Sequence, residues 1–227
     1  MGERNSSAKG QGLAGIRRGL NLHRLGLRGE GLVTEQLPGL SYPGVSSSLA
    51  DEILQLYREE GSRNYGENVT QREHAVQVGR LAAVDGQSDE VVVAAFLHDL
   101  GHLISAEADQ RGGYGSREHE RRGAAWLRER GFSDTVARLV EGHVAAKRYL
   151  TATESGYFER LSDSSKATLK CQGGPMNSAE VATFEADDLC DLHIKFRSWD
   201  EAGKDESMDL EEIECFRPYL ERHLSRV

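Results

Sequence analysis

From residue 46 onward, apolar positions recur at helical spacing, and the gaps between runs carry residues that start and stop helices. Ser46 to Ser48 offer a cap for a helix bearing Leu49, Ile53 and Tyr57 at four-residue intervals, closed by Gly61. Gln71 to Ala83 sets His74, Val78 and Leu81 on one face at spacings of four and three. Ser88 or Asp89 opens a stretch that runs into His98-Asp99, and its apolar character on every side predicts a buried helix. Ser116 is expected to cap a helix over Glu118 to Arg130 that Gly131 stops. Ser133 is expected to cap the next, where Val136, Leu139, Val140 and His143 share a face. Further helices are expected over Ala179 to Phe196 and Leu210 to Leu224. No hairpin dipeptide lies between alternating runs, so the pattern predicts an all-α bundle.

Residues 1–45 break this texture. Six basic residues against three acidic ones (Glu3, Glu30, Glu35) make them net +3, so the remainder carries −12 of the overall −9. Rich in glycine and poor in periodic apolar positions, they read as a disordered extension, with organelle targeting as an alternative, ahead of one domain over 46–227. Met1 to Ser6 also fits the short myristoylation pattern, which matches often by chance. With a pI of 5.4 and 29% charged residues, the chain lacks the electrostatic footprint of a nucleic-acid binder. Its longest apolar run, Val91 to Leu97, is far short of the ~20 residues that span a bilayer. Cys171, Cys190 and Cys215 are odd in number and show no Cys-x-x-Cys spacing, which suits a reducing compartment and a cytoplasmic location.

The candidate chemistry lies in histidines and aspartates. A carboxylate next to a histidine at the end of an apolar helix, as in His98-Asp99, is costly to bury unless it is paired or binds metal. A carboxylate can also bridge two metals, so the pair suits a dinuclear centre. His74, His119 and His143 are each expected near the middle or end of a separate helix, and facing helices are how bundles build metal sites. Imidazole and carboxylate without thiolate favour iron or manganese over structural zinc. Taken singly, each residue has a plain explanation. A lone histidine on an apolar face is usually a hydrogen-bonded core residue, His102 a helix-end cation, Lys147-Arg148 a solvated pair, and Asp200 a helix-to-loop acid. His23, His193 and His223 are expected at the surface with no role.

The order His74, His98-Asp99, His119, His143, Asp200 resembles the metal-binding order of HD-domain proteins. Several strings are similar to those of the phosphonate-cleaving mixed-valent di-iron oxygenases of that superfamily. They are Gln71-Arg72-Glu73-His74, His98-Asp99-Leu100-Gly101-His102, Gly112-Gly113-Tyr114-Gly115, the run Glu141 to Tyr149, Gln172-Gly173-Gly174-Pro175-Met176 and Trp199-Asp200, together spanning most of residues 50–224. The His-Asp pair is shared with many phosphohydrolases, whereas the runs at 141–149 and 172–176 are specific.

The resemblance implies an HD-domain helical bundle with two Fe ions, Fe(II) and Fe(III), in its core and O2 as co-substrate. One iron would take His74, His98 and Asp200, the other His119 and His143, with Asp99 bridging. Tyr65 is the implied gate over the second iron, although the family spacing Tyr-x-Gly-Glu is here one residue tighter, Tyr65-Gly66-Glu67. Glu67 is the implied partner of a substrate amino group, and His102, Lys147, Ser165, Thr168 and Arg197 the implied phosphonate pocket. The implied reaction converts a 2-amino-1-hydroxyethylphosphonate, or an N-methylated relative, and O2 to glycine or its betaine analogue and phosphate. The alternatives are a metal-dependent HD phosphohydrolase acting on a nucleotide or phosphomonoester, and a non-catalytic phosphonate-binding or scaffold protein. No nicotinamide or flavin fingerprint is present to suggest another cofactor.

Overall fold

The computed structural model describes residues 48–64, 66–105, 116–208 and 212–227. The extension over 1–45, Tyr65 and the string Gly112 to Gly115 lie outside the described residues.

The first helix, α1 (Leu49–Glu60), starts where Ser48 and Asp51 each bond the other's main-chain N–H, and it buries Ala50, Ile53, Leu54 and Tyr57. The Tyr57 hydroxyl donates to the Phe96 carbonyl at 2.8 Å, which satisfies a polar tip inside the core. A second capping box, Thr70 with Glu73, opens α2 (Gln71–Val84). Ser88 caps α3 (Asp89–Leu97), in which Val91 to Leu97 are all buried. This helix is the central rod of the bundle, packed by α2, by α6 (Asp134–Thr153, capped by Ser133) and by the C-terminal helix Arg217–Leu224. A one-turn helix, α4 (Leu100–Leu103), follows His98 and Asp99 and packs against α5 (His119–Glu129). Then come α7 (Tyr157–Arg160), α8 (Asp163–Cys171), α9 (Ser178–Glu185), α10 (Cys190–Ala202) and, as the last, α11 (Arg217–Leu224). No strand occurs among the described residues, so the fold is the expected all-α bundle.

The structure corrects several expectations. Ser116 is not a cap: α5 begins at His119 after Glu118 in the left-handed region (φ 54°), with no side-chain cap. The helix expected over Ala179 to Phe196 is two. The Asp187 carboxylate accepts from the Leu189 N–H at 2.7 Å, and such a local turn competes with helix continuation. Within the stretch expected as one helix over Leu210 to Leu224, a 3-10 turn over Ile213–Phe216 leads into α11, with Pro218 in its first turn. The short helices α4, α7 and α8 were not expected. His193 and His223 are buried, not superficial: the rings of Phe184 and Phe132 respectively lie against them.

Candidate metal centre and its cavity

Four helices and the α3–α4 junction bring the six expected ligands together, all of them poorly accessible. His74 comes from the first turn of α2, His98 and Asp99 from the end of α3, His143 from mid-α6 and Asp200 from the last turn of α10. His119, expected near a helix middle or end, is instead the first residue of α5. Two glycines permit this convergence. A Cβ on Gly101 would lie 1.9 Å from the His119 carbonyl oxygen, so only glycine lets the start of α5 press onto α4. A Cβ on Gly142 would lie 2.1 Å from the His193 ring, which backs the turn of α6 that carries His143.

The side chains form two facing pairs. The Nε2 atoms of His74 and His98 are 3.1 Å apart, and those of His119 and His143 3.0 Å apart. In every ring the other nitrogen meets a main-chain carbonyl: His74 Nδ1 that of Gly203 at 2.7 Å, His98 that of Ala95 at 2.9 Å, His119 that of Ser116 at 3.3 Å and His143 that of Val140 at 2.7 Å. A carbonyl only accepts, so Nδ1 carries the hydrogen and Nε2 offers a lone pair. Two lone pairs at 3 Å repel unless a proton or a metal cation lies between them. The carboxylates favour the cation. Asp99 Oδ1 lies 3.3 Å from His119 Nε2 and 3.6 Å from His143 Nε2, while its Oδ2 lies 3.6 Å and 3.8 Å from those of His98 and His74. One carboxylate thus presents one oxygen to each pair. Asp200 Oδ1 adds itself to the first pair, 3.2 Å from His74 Nε2. Burial pushes His143 down to about 3, with positive charge on His119 and His98 adding to the effect, which keeps its lone pair available. Burial works to raise Asp200, yet the Arg197 guanidinium and the histidines hold it well below the usual carboxylate range. This all-nitrogen-and-oxygen donor set fits a metal centre, and carboxylate bridging fits a dinuclear one.

The centre opens into a cavity of about 680 Å³. His102, Lys147, Ser165, Thr168 and Arg197 all line it. His102 Nδ1 accepts from the Ser116 N–H at 2.9 Å, and burial, reinforced by charge on His119, drives its pKa well below the usual value, so the ring is neutral with its hydrogen on Nε2. Lys147, far from being a solvated cation, is buried and donates to Thr168 Oγ1 at 3.0 Å. Its companion Arg148 braces the 172–176 string through the Gly174 carbonyl, at 2.9 Å. Arg197 donates through Nε to the Tyr157 hydroxyl at 3.0 Å and through Nη1 to Asp200 at 2.5 Å, leaving Nη2 buried without a partner. The Arg197 guanidinium belongs to the cavity wall, and a cationic fork there suits an oxygen-rich ligand. Glu67 does not stand free: its Oε1 accepts from Lys204 Nζ at 2.6 Å and from Ser162 Oγ at 2.7 Å. Tyr157 and Lys204 were missed by the sequence reasoning. Tyr157 sits on an unexpected short helix, whereas Lys204 follows the Trp199-Asp200 string by four residues.

A helical bundle with paired histidines around a shared carboxylate defines an HD-domain metalloprotein, and residues 72–189 match the HD domain. Over 196 residues the chain is 38% identical to a [1-hydroxy-2-(trimethylamino)ethyl]phosphonate dioxygenase (glycine-betaine-forming) of Leisingera caerulea, covering 82% of this chain and 98% of that protein. Over 171 residues it is 33% identical to a hydroxymethylphosphonate dioxygenase of Gimesia maris, covering 74% of this chain and 85% of that protein. The chain belongs to the HD-domain phosphonate dioxygenase family, a family of oxidoreductases.

Proposed function

We propose that the protein is a di-iron dioxygenase that breaks the carbon–phosphorus bond of a small 1-hydroxyphosphonate. The observation that carries this reading is the junction of a buried two-pair donor set, linked by Asp99, with a cavity wall whose Arg197 Nη2 lacks a partner. The names of the two relatives favour oxidative cleavage over the phosphohydrolase alternative. The reference substrate implied by the resemblance is 2-amino-1-hydroxyethylphosphonate, giving glycine and phosphate. The relatives' names flank it with a trimethylammonio substituent on one side and none on the other.

The reaction balances without an external reductant. The C–H and C–P bonds of the hydroxyl-bearing carbon break, that carbon becomes a carboxylate, O2 takes up the four electrons released, and phosphate and one proton leave. Iron held by His74, His98, Asp99, His119, His143 and Asp200 would supply the redox chemistry that couples substrate oxidation to O2 reduction. The chain's own groups hold the substrate. Arg197 Nη2 and the Lys147 ammonium suit two phosphonate oxygens, Ser165 and Thr168 offer hydroxyls, and neutral His102 offers an Nε2 hydrogen without adding charge. Asp99, with one oxygen toward each histidine pair, would serve both metals. Iron-loaded protein given 1-hydroxyphosphonates with and without O2 tests the proposal through phosphate release.

A further inference from the structure

Lys204 is held in place from both sides. The carbonyl of Gly203 accepts from His74 Nδ1, and the N–H and carbonyl of Asp205 each pair with the Gln77 amide at 3.0 Å. The backbone around Lys204 is therefore clamped to α2 beside the metal centre, and only the side chain can swing. That side chain is mostly buried, 19% exposed, and lies in the cavity wall. Its Nζ donates to Glu67 Oε1 at 2.6 Å and touches Ser165 Oγ at 3.2 Å and Ser162 Oγ at 3.4 Å. Glu67, the cavity-wall carboxylate that the family resemblance assigns to a cationic substituent, already has a cation supplied by the protein. A substrate ammonium at Glu67 would face Lys204 at about 4 Å, where two like charges near a protein surface repel strongly. Displacing Lys204 would turn its charge toward Ser165 and the other cations of the cavity, Lys147 and Arg197.

Resting on the phosphonate dioxygenase reading, we propose that Lys204 is a specificity-determining residue that neutralises Glu67 and makes the site select 1-hydroxyphosphonates without a positively charged substituent. Hydroxymethylphosphonate, or a homologue with a small neutral group, is then the preferred class over the amino and trimethylammonio compounds. Closely similar chains that accept a cation should differ in what faces Glu67, since like-charge rejection is how a site discriminates between near-identical ligands.

Two measurements separate this inference from the function on which it rests. Dissociation constants of the unreactive probes methylphosphonate and 2-aminoethylphosphonate are measured by calorimetry without O2 on iron-loaded wild type, Lys204→Met and Lys204→Arg. Wild type and Lys204→Arg should favour methylphosphonate, and Lys204→Met should shift the ratio at least tenfold toward the amino probe, with iron content unchanged. A ratio that moves less than twofold, or a wild type that prefers the amino probe, overturns the inference. In the second measurement, phosphate release from hydroxymethylphosphonate and 2-amino-1-hydroxyethylphosphonate should show the same shift in kcat/KM. Phosphate release that ignores O2 would remove the dioxygenase reading, while the binding ratio still decides the role of Lys204.

Discussion

The Nε2 atoms of His119 and His143 face each other at 3.0 Å, each with its second ring nitrogen spent on a main-chain carbonyl. The same holds for His74 and His98. Each pair competes for one cation, proton or metal, so iron binding should release protons and weaken as pH falls. Two iron ions per chain are expected by elemental analysis, and His98→Ala should lose both, because its fully buried ring abuts His74 and Asp99 alike. With free metal at 100 times its dissociation constant, one site adds about 2.7 kcal/mol. For a chain of this size that raises the melting temperature by roughly 5–10 °C. A chelator that leaves the melting temperature unmoved would contradict the ligand assignment.

Lys147 gives a pH signature. Burial, with the Arg197 charge adding to it, pushes its ammonium down to about 7. A phosphonate dianion favours the charged form, so binding takes up a proton. Affinity is full below the free-state value and declines as pH rises through about 7 and beyond. Calorimetry in buffers of different ionisation enthalpy should show this uptake, and the wild-type decline between pH 7 and 9 should be flatter in Lys147→Met, which keeps its iron.

Arg197 is buried between Tyr157, Glu201 and Asp200. Arg197→Met leaves the Asp200 charge without its counter-ion, and breaking a buried pair from one side costs about 3–5 kcal/mol. The metal-free variant should therefore melt well below wild type, and iron should restore part of the loss. In the iron-loaded variant, KM for the phosphonate should rise at least tenfold.

Gly142 and His193 should behave as a coupled pair. A methyl group at 142 would overlap the His193 ring, and such overpacking costs about 1–3 kcal/mol. His193 contributes little polar stabilisation, as its buried Nδ1 has no partner. Removing the ring makes room, so Gly142→Ala with His193→Ala should cost about 1 kcal/mol less than the two separate losses together, measured by denaturant unfolding. Strict additivity would mean that His193 does not brace this turn of α6.

The same pair shows where sequence reasoning stops. The helices α1, α3 and α6 were legible because Ser48, Ser88 and Ser133 each act within three residues of themselves, and α2 because His74, Val78 and Leu81 share a face. The six candidate donors were legible as a group because chemically suited residues recur in the order the family resemblance supplies, and the structure brings them together. Burial of His193 depends on Gly142, fifty-one positions away in sequence, and no local period signals it. The start of α5 was misplaced because its N-terminus is set by the left-handed turn at Glu118 and the contact of Gly101 with His119, both imposed by tertiary packing. The Lys204 ion pair was hidden for the same reason: Glu67 and Lys204 meet only when α10 packs on α2.

Phosphate release from a 1-hydroxyphosphonate by iron-loaded protein, followed with and without O2 in matched samples, tests the central claim most directly. Release is expected only with O2, in equal amount to the oxygen consumed, with a carboxylate as the organic product. Equal release under anaerobic conditions would contradict it and make the site a hydrolase.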